Sequence, residues 1–277
     1  MSAVPAVKLN NGVEIPQLGF GVFKIGPDET RAATLEALRI GYRHIDTAQM
    51  YGNEREVAQA VRDSGLDRSE VFVTSKLANH AHAHDAALAA FDRTLDVMGF
   101  DYLDLFLIHW PVPAVGYVET WLAFERIYRS GRVKAIGVSN FQPAHLERLA
   151  AETSVVPAVN QIEVHPYFIQ DDVRAFDRAH GIATQAWSPI GQGQVLDDPT
   201  IVAIARRLER TPAQVTLRWH IQRGDIVFPK SSNPGRMAEN FALFDFELTD
   251  GDVQAISALN RNGRRGPNPD EFNWVSD

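Results

Sequence analysis

A regular alternation of short apolar strands and amphipathic helices is the feature that most restricts how this 277-residue chain can fold. The first unit combines a strand over 18–23 with a helix over about 28–40, in which Ala33, Ala37 and Ile40 recur at helical spacing. The pattern returns seven times, with strands predicted at 44–46, 71–75, 103–108, 133–138, 158–164, 182–187 and 226–228. Eight successive strand–helix units predict an α/β fold, the (β/α)8 TIM barrel.

Segments at both ends lie outside these units. Residues 7–16 contain two short strands around Asn11 and Gly12, which predicts a β-hairpin that caps one end of the barrel. A helix near 249–259 and a tail over 263–277 are expected to pack over one mouth of the barrel. Because no linker, low-complexity run or change of composition divides the chain, residues 1–277 are predicted to form a single domain.

A doubly wound parallel sheet is the rival architecture. It would need a Gly-x-Gly-x-x-Gly turn after its first strand, and the sequence contains none there.

The composition is that of an ordinary soluble globular protein, with 45% apolar and 22% charged residues. A formal charge of −8 argues against non-specific binding to nucleic acid or to anionic membranes. The absence of cysteine excludes disulfides, thiolate catalysis and cysteine zinc sites. The sequence has no apolar run long enough for a membrane-spanning helix, and residues 1–8 do not resemble a signal peptide. A cytoplasmic location is therefore expected.

Polar side chains close several predicted strands, at the end where barrels of this type place their active sites. Asp46, Lys76 and His109 close three successive strands, and Tyr51 follows the first of them. Because strand ends meet on one ring, these four side chains should be neighbours. Each has a structural alternative, such as a buried Asp46–Lys76 ion pair or a core histidine at 109, but their combination favours a catalytic group.

These residue types suit the protonation of a carbonyl oxygen. Free tyrosine titrates at about 10, which is too high for an efficient proton donor at neutral pH. A neighbouring Lys76 ammonium should lower the pKa of Tyr51, and Asp46 should keep that lysine charged. His109 could hydrogen-bond and orient the carbonyl oxygen. Just beyond Tyr51, Asn53 and Glu56 are expected to form the capping box of a helix.

Six segments resemble, in order, the signature motifs of the aldo-keto reductase superfamily, and together they span nearly the whole chain. They are Asp46-Thr47-Ala48 with Tyr51-Gly52-Asn53-Glu54, Thr74-Ser75-Lys76-Leu77, Ile108-His109-Trp110-Pro111, Ile136-Gly137-Val138-Ser139-Asn140-Phe141, Val159-Asn160-Gln161-Ile162-Glu163 with His165-Pro166, and Pro229-Lys230-Ser231. Two further segments, 187–193 and 244–248, are most similar to the prokaryotic branch that includes 2,5-diketo-D-gluconate reductase.

The resemblance implies an NADPH-dependent oxidoreductase that reduces aldehydes or ketones, such as keto sugars, α-ketoesters or cyclic ketones, without a metal. It implies that Tyr51 is the general acid, that Asp46 and Lys76 tune it, and that His109 positions the carbonyl. A small-molecule carbonyl compound is then the expected partner, and the chain is expected to be a monomer.

The resemblance also implies a set of cofactor-binding residues. Ser139, Asn140 and Gln161 would hold the nicotinamide carboxamide, Trp187 would stack on the ring, and Ser188 follows it. The adenosine end would be held by Lys230, Ser231, Ser232, Arg236, Glu239 and Asn240. Arg236 can pair with a 2′-phosphate, which favours NADPH over NADH. Alternatively, Trp187 is a core aromatic residue and Lys230-Ser231 with Arg236 is an ordinary solvated helix start.

The substrate pocket is expected to include Phe23, Ala78 and Trp110, with part of the tail. Ala78 stands where the family motif usually has tryptophan, so this side of the pocket should be wider and less aromatic. The loop over 110–118 and the tail are short, so long pocket-covering loops are not expected. His80, His82 and His84 alternate and could bind a metal, but a solvated loop is favoured.

Two other functions use the same features. One is a cofactor-binding sensor or regulatory subunit on the same barrel, without turnover. Such a protein would have no reason to keep all four of the predicted catalytic residues. The other is an aldolase that uses Lys76 to form a Schiff base. The aldolase needs a neutral lysine, which the predicted Asp46–Lys76 pair opposes.

Overall fold

The computed structural model describes residues 4–275, and it confirms the predicted (β/α)8 barrel. The predictions that concern residues 1–3 and the last two residues of the tail lie outside this part of the chain. Two strands form the N-terminal hairpin, β1 (Ala6–Lys8) and β2 (Glu14–Pro16). The barrel strands are β3 (Phe20–Gly21), β4 (His44–Asp46), β5 (Phe72–Leu77), β6 (Leu103–Ile108), β7 (Val133–Ser139), β8 (Val159–Glu163), β9 (Ala183–Trp187) and β10 (Ile226–Val227).

Helices connect these strands and surround them. They are α1 (Pro27–Ile40), α2 (Glu54–Asp63), α3 (His84–Met98), α4 (Val118–Arg129), α5 (Pro143–Glu152), α6 (Asp171–Ala179), α7 (Pro199–Leu208), α8 (Pro212–Gln222), α9 (Pro234–Phe241) and α10 (Asp250–Ser257). Among residues 4–275, none of these helices combines the length and the apolar character that crossing a membrane requires.

Each barrel strand pairs in parallel with its neighbour in sequence, from β3 to β10. The ring is closed where Leu18 bridges Val227 in parallel, with the Gly19 N–H donating to the Val227 carbonyl at 2.7 Å. The first barrel strand is shorter than the predicted 18–23, since regular pairing with β4 covers only Phe20 and Gly21. All six residues of β5 and of β6 are buried, as expected of strands enclosed by a ring of helices.

The hairpin closes the end of the barrel where the strands begin. Leu9 and Ile15 are buried in an apolar cluster that includes Phe72 at the start of β5 and Ile226 at the start of β10. The Asn10 side chain also donates to the Pro157 carbonyl, just before β8. The opposite end, where the strands finish, is therefore the accessible mouth.

The predicted capping box at the start of α2 is wrong. The Asn53 side chain makes no cap hydrogen bond; it donates to the carbonyls of Val22 and Ile25 and accepts from the Thr47 hydroxyl at 2.7 Å. Because the Asn53 side chain is fully buried, its polar atoms form hydrogen bonds with three groups of the surrounding loops and are not available to cap the helix. Asn53 thus ties the turn that carries Tyr51 to the loop after β3.

Candidate active site

The four residues predicted to act on a carbonyl meet at the accessible mouth. Asp46 is the last residue of β4, Lys76 lies near the end of β5, and His109 directly follows β6. Tyr51 lies in a single helical turn over 49–51, which ends at Gly52 in the left-handed conformation (φ 66°). Parallel pairing of β4, β5 and β6 brings their ends together.

Lys76 is the centre of this group. Its Nζ donates to Asp46 Oδ1 at 2.6 Å, to the Thr47 carbonyl at 2.9 Å and to Tyr51 Oη at 3.4 Å. The Lys76 side chain is fully buried, and a buried ammonium requires such partners. The rings of Tyr51 and His109 meet edge to face, with centroids 5.7 Å apart. The geometry places a phenol, an ammonium and an imidazole around one small volume.

The charge states follow from burial and from the Asp46–Lys76 pair. Burial alone would lower the pKa of Lys76, but the adjacent Asp46 carboxylate raises it above its ordinary value, so the lysine stays charged. Burial raises the pKa of Tyr51, and the Lys76 ammonium offsets only part of this rise. The expectation that Lys76 lowers the pKa of Tyr51 below its ordinary value is therefore wrong for the net effect, because the cost of burying a phenolate is larger.

His109 is a neutral imidazole in this site. Burial, assisted by the Lys76 charge, places its pKa well below the ordinary value. Its Nδ1 is enclosed and has no hydrogen-bond partner among the residues described. An enclosed N–H without an acceptor is costly, so the favoured tautomer carries its proton on Nε2. That nitrogen can then donate to an oxygen in the mouth.

The residues predicted to bind the nicotinamide lie on or just after β7, β8 and β9. Ser139 Oγ donates to the Gln161 carbonyl at 2.8 Å, and Asn140 Nδ2 donates to the His109 carbonyl at 2.9 Å. Asn140 has a left-handed backbone (φ 65°), which is strained for a residue other than glycine. Trp187 Nε1 donates to Asn140 Oδ1 at 2.8 Å. Ser188 also has a left-handed backbone (φ 50°).

Gln161 makes side-chain contacts that the sequence did not predict. It lies within β8 rather than at its end, and its Nε2 donates both to Asp46 Oδ2 at 2.8 Å and to Gln185 Oε1 at 2.9 Å. Gln161 Oε1 accepts no hydrogen bond from residues 4–275 and so can still accept one from a ligand amide. Gln185 was not predicted, because an interior glutamine on β9 carries no motif of its own.

A second cluster lies beyond β10, at the start of α9. Asn233 caps this helix by accepting from the Arg236 N–H at 3.0 Å, and Ser231 Oγ accepts from the Asn233 N–H at 3.1 Å. Lys230 and Arg236 are exposed, and neither forms an ion pair with another residue of the described chain. Two unpaired cations beside a helix N-terminus suit a phosphate group.

The other residues predicted for this cluster differ in accessibility. Ser232 and Glu239 are exposed and available to a ligand, whereas Asn240 is only 7% exposed. Its position in the last turn of α9 turns it toward the protein. Contact of Asn240 with an adenine ring stays a prediction.

Phe23 and Trp110, both predicted to line the substrate pocket, have different aromatic neighbours. The Phe23 ring packs 4.9 Å from that of Tyr51 and is 53% exposed. Trp110, which follows His109, packs against Phe272 of the tail with ring centroids 4.4 Å apart. The tail, although short, therefore covers part of the mouth.

Ala78 is buried and lies at the edge of a groove of about 380 Å³ that Met50, Val97 and Trp274 also line. The Asn79 side chain donates to the Trp274 carbonyl at 2.9 Å. Trp274 thus adds an aromatic side chain to this groove, while the wider substrate pocket expected from Ala78 stays a prediction.

The three alternating histidines have three different environments. His80 is exposed, and His84 pairs with Asp85. His82 is buried, with Nδ1 at 2.9 Å from the Gly116 carbonyl, so the expectation of a fully solvated loop fails for it. Within residues 4–275, no group of three or more histidine, cysteine, aspartate or glutamate side chains is arranged to hold a metal ion.

Comparison with known proteins identifies the class to which this site belongs. The sequence model of the Aldo/keto reductase family matches residues 17–261. The chain therefore belongs to the aldo/keto reductase family, whose members are oxidoreductases that use NADP(H). It is accordingly an enzyme of the carbonyl-reductase type.

Individual relatives extend over nearly the whole chain. Glyoxal reductase of Bacillus subtilis is 46% identical, covering 96% of each chain. Methylglyoxal reductase DkgA of Escherichia coli is 42% identical, covering 98% of this chain and 99% of its own. The crystal structure of a Gox0644 mutant in complex with NADPH superposes with a TM-score of 0.94 at 46% identity, covering 98% of this chain and 99% of that one.

Proposed function

We propose that this protein reduces small aldehydes and ketones, α-dicarbonyl compounds foremost among them, with NADPH and with Tyr51 as the proton donor. The observation that carries the proposal is the contact of Tyr51 Oη with Lys76 Nζ at 3.4 Å, where Lys76 is itself paired with Asp46 at 2.6 Å. Keto sugars, α-ketoesters and cyclic ketones remain within the substrate class.

Tyr51 is suited to donate a proton because it enters the reaction protonated. Its pKa lies above the ordinary value through burial. As the proton leaves, negative charge develops on Oη, and the Lys76 ammonium stabilises this charge where water is excluded. Asp46 keeps Lys76 charged throughout. The pKa of Lys76 is raised, so this residue is not the neutral amine that a Schiff-base aldolase requires.

His109 orients the carbonyl group. A neutral imidazole with its proton on Nε2 donates a hydrogen bond to the carbonyl oxygen without placing a second full charge beside Lys76. The oxygen is then held between the Tyr51 hydroxyl and the His109 ring, and the carbonyl carbon faces the ends of β7 to β9.

The residues present fit a nicotinamide dinucleotide phosphate. When bound, NADPH supplies the hydride that reduces the carbonyl carbon. Trp187 offers a partly exposed ring, and Gln161 Oε1 offers a free acceptor for the carboxamide, beside Ser139 and Asn140. Ser188 lies next along the chain. Lys230, Ser231, Ser232, Arg236 and Glu239 surround the phosphate and adenosine end, where the two cations favour NADPH over NADH.

The substrate preference is supported by two features. Relatives that cover nearly the whole chain are named glyoxal and methylglyoxal reductases. The packing of Trp110 against Phe272 narrows the mouth, which suits small substrates. We further propose that residues 1–277 form one domain and act as a monomer; the cytoplasmic location stays a prediction of the sequence.

The test is the loss of NADPH absorbance with a panel of small carbonyl compounds, for wild type and Tyr51→Phe in parallel. We expect wild type to turn over and the variant to be slower by at least about a hundredfold, the usual effect of losing a general acid, with NADPH affinity retained. Tight NADPH binding without turnover of any carbonyl would instead indicate the sensor function.

A further inference from the structure

The Glu163 carboxylate clamps the tail of the chain onto the barrel. Glu163 ends β8 and is 1% exposed. Its Oε1 accepts from the Arg265 N–H at 2.9 Å and its Oε2 accepts from the Gly266 N–H at 2.9 Å. The His165 ring lies at 3.0 Å from Oε1 and adds a third contact. These bonds join residues 102 and 103 positions apart in sequence, so the clamp forms only when the tail folds back.

The clamped segment lies directly against Trp187. A Cβ atom at position 266 would lie 2.5 Å from Trp187 Cη2 and 3.2 Å from Cζ2, closer than atoms normally approach. Gly266 does not have a left-handed backbone, so space at the indole, rather than a backbone conformation, is what requires glycine. The clamp therefore brings tail backbone into contact with the outer edge of this ring.

Trp187 is held on two edges as a result. Its Nε1 is fixed by Asn140 Oδ1 at 2.8 Å, and its six-membered ring is fixed by Gly266. A side chain restrained at both edges can present one defined plane to the mouth. Without the tail, the ring would keep its hydrogen bond to Asn140 but lose the contact with Gly266.

We propose that Glu163 is a positioning residue for the cofactor: by holding Gly266 against Trp187, it fixes the indole plane on which the nicotinamide stacks. This inference rests on the proposed function, which assigns the stacking role to Trp187. The tail thus acts on the cofactor through 265–266 and on the substrate side through Phe272 and Trp274. The two effects belong to separate stretches of the tail and can be measured separately.

Two variants test the contact from its two sides. Gly266→Ala adds a methyl group that pushes on the indole and also lies 3.2 Å from Glu163 Oε2, so it acts mainly on Trp187. Glu163→Gln keeps the side-chain size but turns its amide N–H group toward a backbone N–H donor, so it acts on the clamp alone. Glu125→Gln is the matched control. Glu125 is 1% exposed and accepts from the backbone N–H groups of Ser154 and Val155 at 2.7 Å each, away from the mouth.

The first measurement needs no cofactor. The protein has five tryptophans, so labelling with 5-fluorotryptophan gives five 19F resonances, and Trp187→Phe assigns the one of interest. We expect Gly266→Ala and Glu163→Gln to shift or broaden the Trp187 resonance. The resonances of Trp121 and Trp219, both fully buried in the core, should not move. Glu125→Gln should leave the Trp187 resonance in place.

The second measurement is the Kd of NADPH by fluorescence titration, together with the melting temperature. We expect both site variants to weaken NADPH binding about five- to tenfold, the scale of one well-placed interaction, while Glu125→Gln lowers the melting temperature and leaves the Kd unchanged. An unchanged Kd in Gly266→Ala and Glu163→Gln, or an unmoved Trp187 resonance, would overturn this inference and leave the proposed function standing. A wild-type protein without affinity for NADPH would refute the proposed function and this inference together.

Discussion

Burial and neighbouring charges set the protonation state of individual residues in this barrel, and these states determine what the residues can do chemically. Lys76 is fully buried yet stays charged, because Asp46 lies 2.6 Å away. Tyr51 stays protonated, because burial outweighs the nearby ammonium. His109 stays neutral, because burial and the Lys76 charge both oppose its protonation. The sequence shows each residue type, but the direction of each pKa shift depends on how completely the folded chain excludes water from the residue.

Asp177 gives a pH prediction at this scale. Burial raises the pKa of its carboxyl to about 7, although Asn160 and Thr184 donate to it. Between its ordinary pKa and about 7, the folded state holds a proton that the unfolded state has lost, so this group makes stability fall as pH rises. The full effect is roughly 4 kcal/mol, from about 1.4 kcal/mol for each pKa unit.

Asp177→Asn removes this titration and should keep both hydrogen bonds. We expect its free energy of unfolding in urea to decline less than that of wild type between about pH 4.5 and about pH 8, a range that covers most of the interval in which the folded and unfolded states differ in protonation. Comparing the two proteins cancels the titration of all other groups. Parallel pH profiles would show that Asp177 is already ionised in the folded protein.

Close approach of neighbouring strands limits the size of the side chains that fit in the barrel. Gly137 lies in β7 between β6 and β8. A Cβ atom there would lie 2.6 Å from the Val159 carbonyl oxygen and 2.8 Å from a Leu107 methyl group. The first of these is backbone and cannot rotate away. The glycine is thus required by the packing of three strands.

Gly137→Ala should therefore destabilise the barrel by about 1–3 kcal/mol, the usual cost of overpacking. Gly26→Ala is the control, since a Cβ atom at position 26 would have no neighbouring atom within 4 Å and the backbone there (φ −63°) is one that alanine adopts freely. That change should alter stability by less than about 1 kcal/mol. The free energies of unfolding of both variants can be measured by chemical denaturation. Equal values for the two variants would contradict the packing argument.

The strand–helix order could be predicted because apolar periodicity is local. The four catalytic candidates could also be predicted, since each lies at or near the end of a strand. Glu163, Gly266 and Gln185 could not, because their roles arise from contacts between distant parts of the chain. Asn53 was interpreted as a helix cap because the pattern is local, whereas its actual partners lie in the loops after β3 and β4.

At the scale of the whole molecule, the two ends of the barrel are closed by different segments. The hairpin fills the end where strands begin, and the tail crosses the mouth where they finish. Large apolar side chains that stay exposed in the described chain are few and occur singly or beside the mouth; they are Phe23, Val97, Val115, Val156, Trp274 and Val275. A stable dimer would need a larger continuous apolar face.

We accordingly expect a monomer in solution. Sedimentation equilibrium should give a mass near the 30.8 kDa of one chain at all concentrations tested. A mass that rises toward twice this value with concentration would contradict the expectation and would point to the side chains around the mouth as the interface.

The course of the tail decides where this protein can be modified for laboratory use. Asn273 Oδ1 accepts from the Ala114 N–H, and the Asn79 side chain donates to the Trp274 carbonyl, so residues 273–274 are held by the loops that follow β5 and β6. A bulky label attached to the side chain at position 274 would therefore lie over the mouth of the barrel. A label on an exposed residue of the hairpin, such as Lys8, would lie at the opposite end of the barrel, where it should leave kinetic measurements undisturbed.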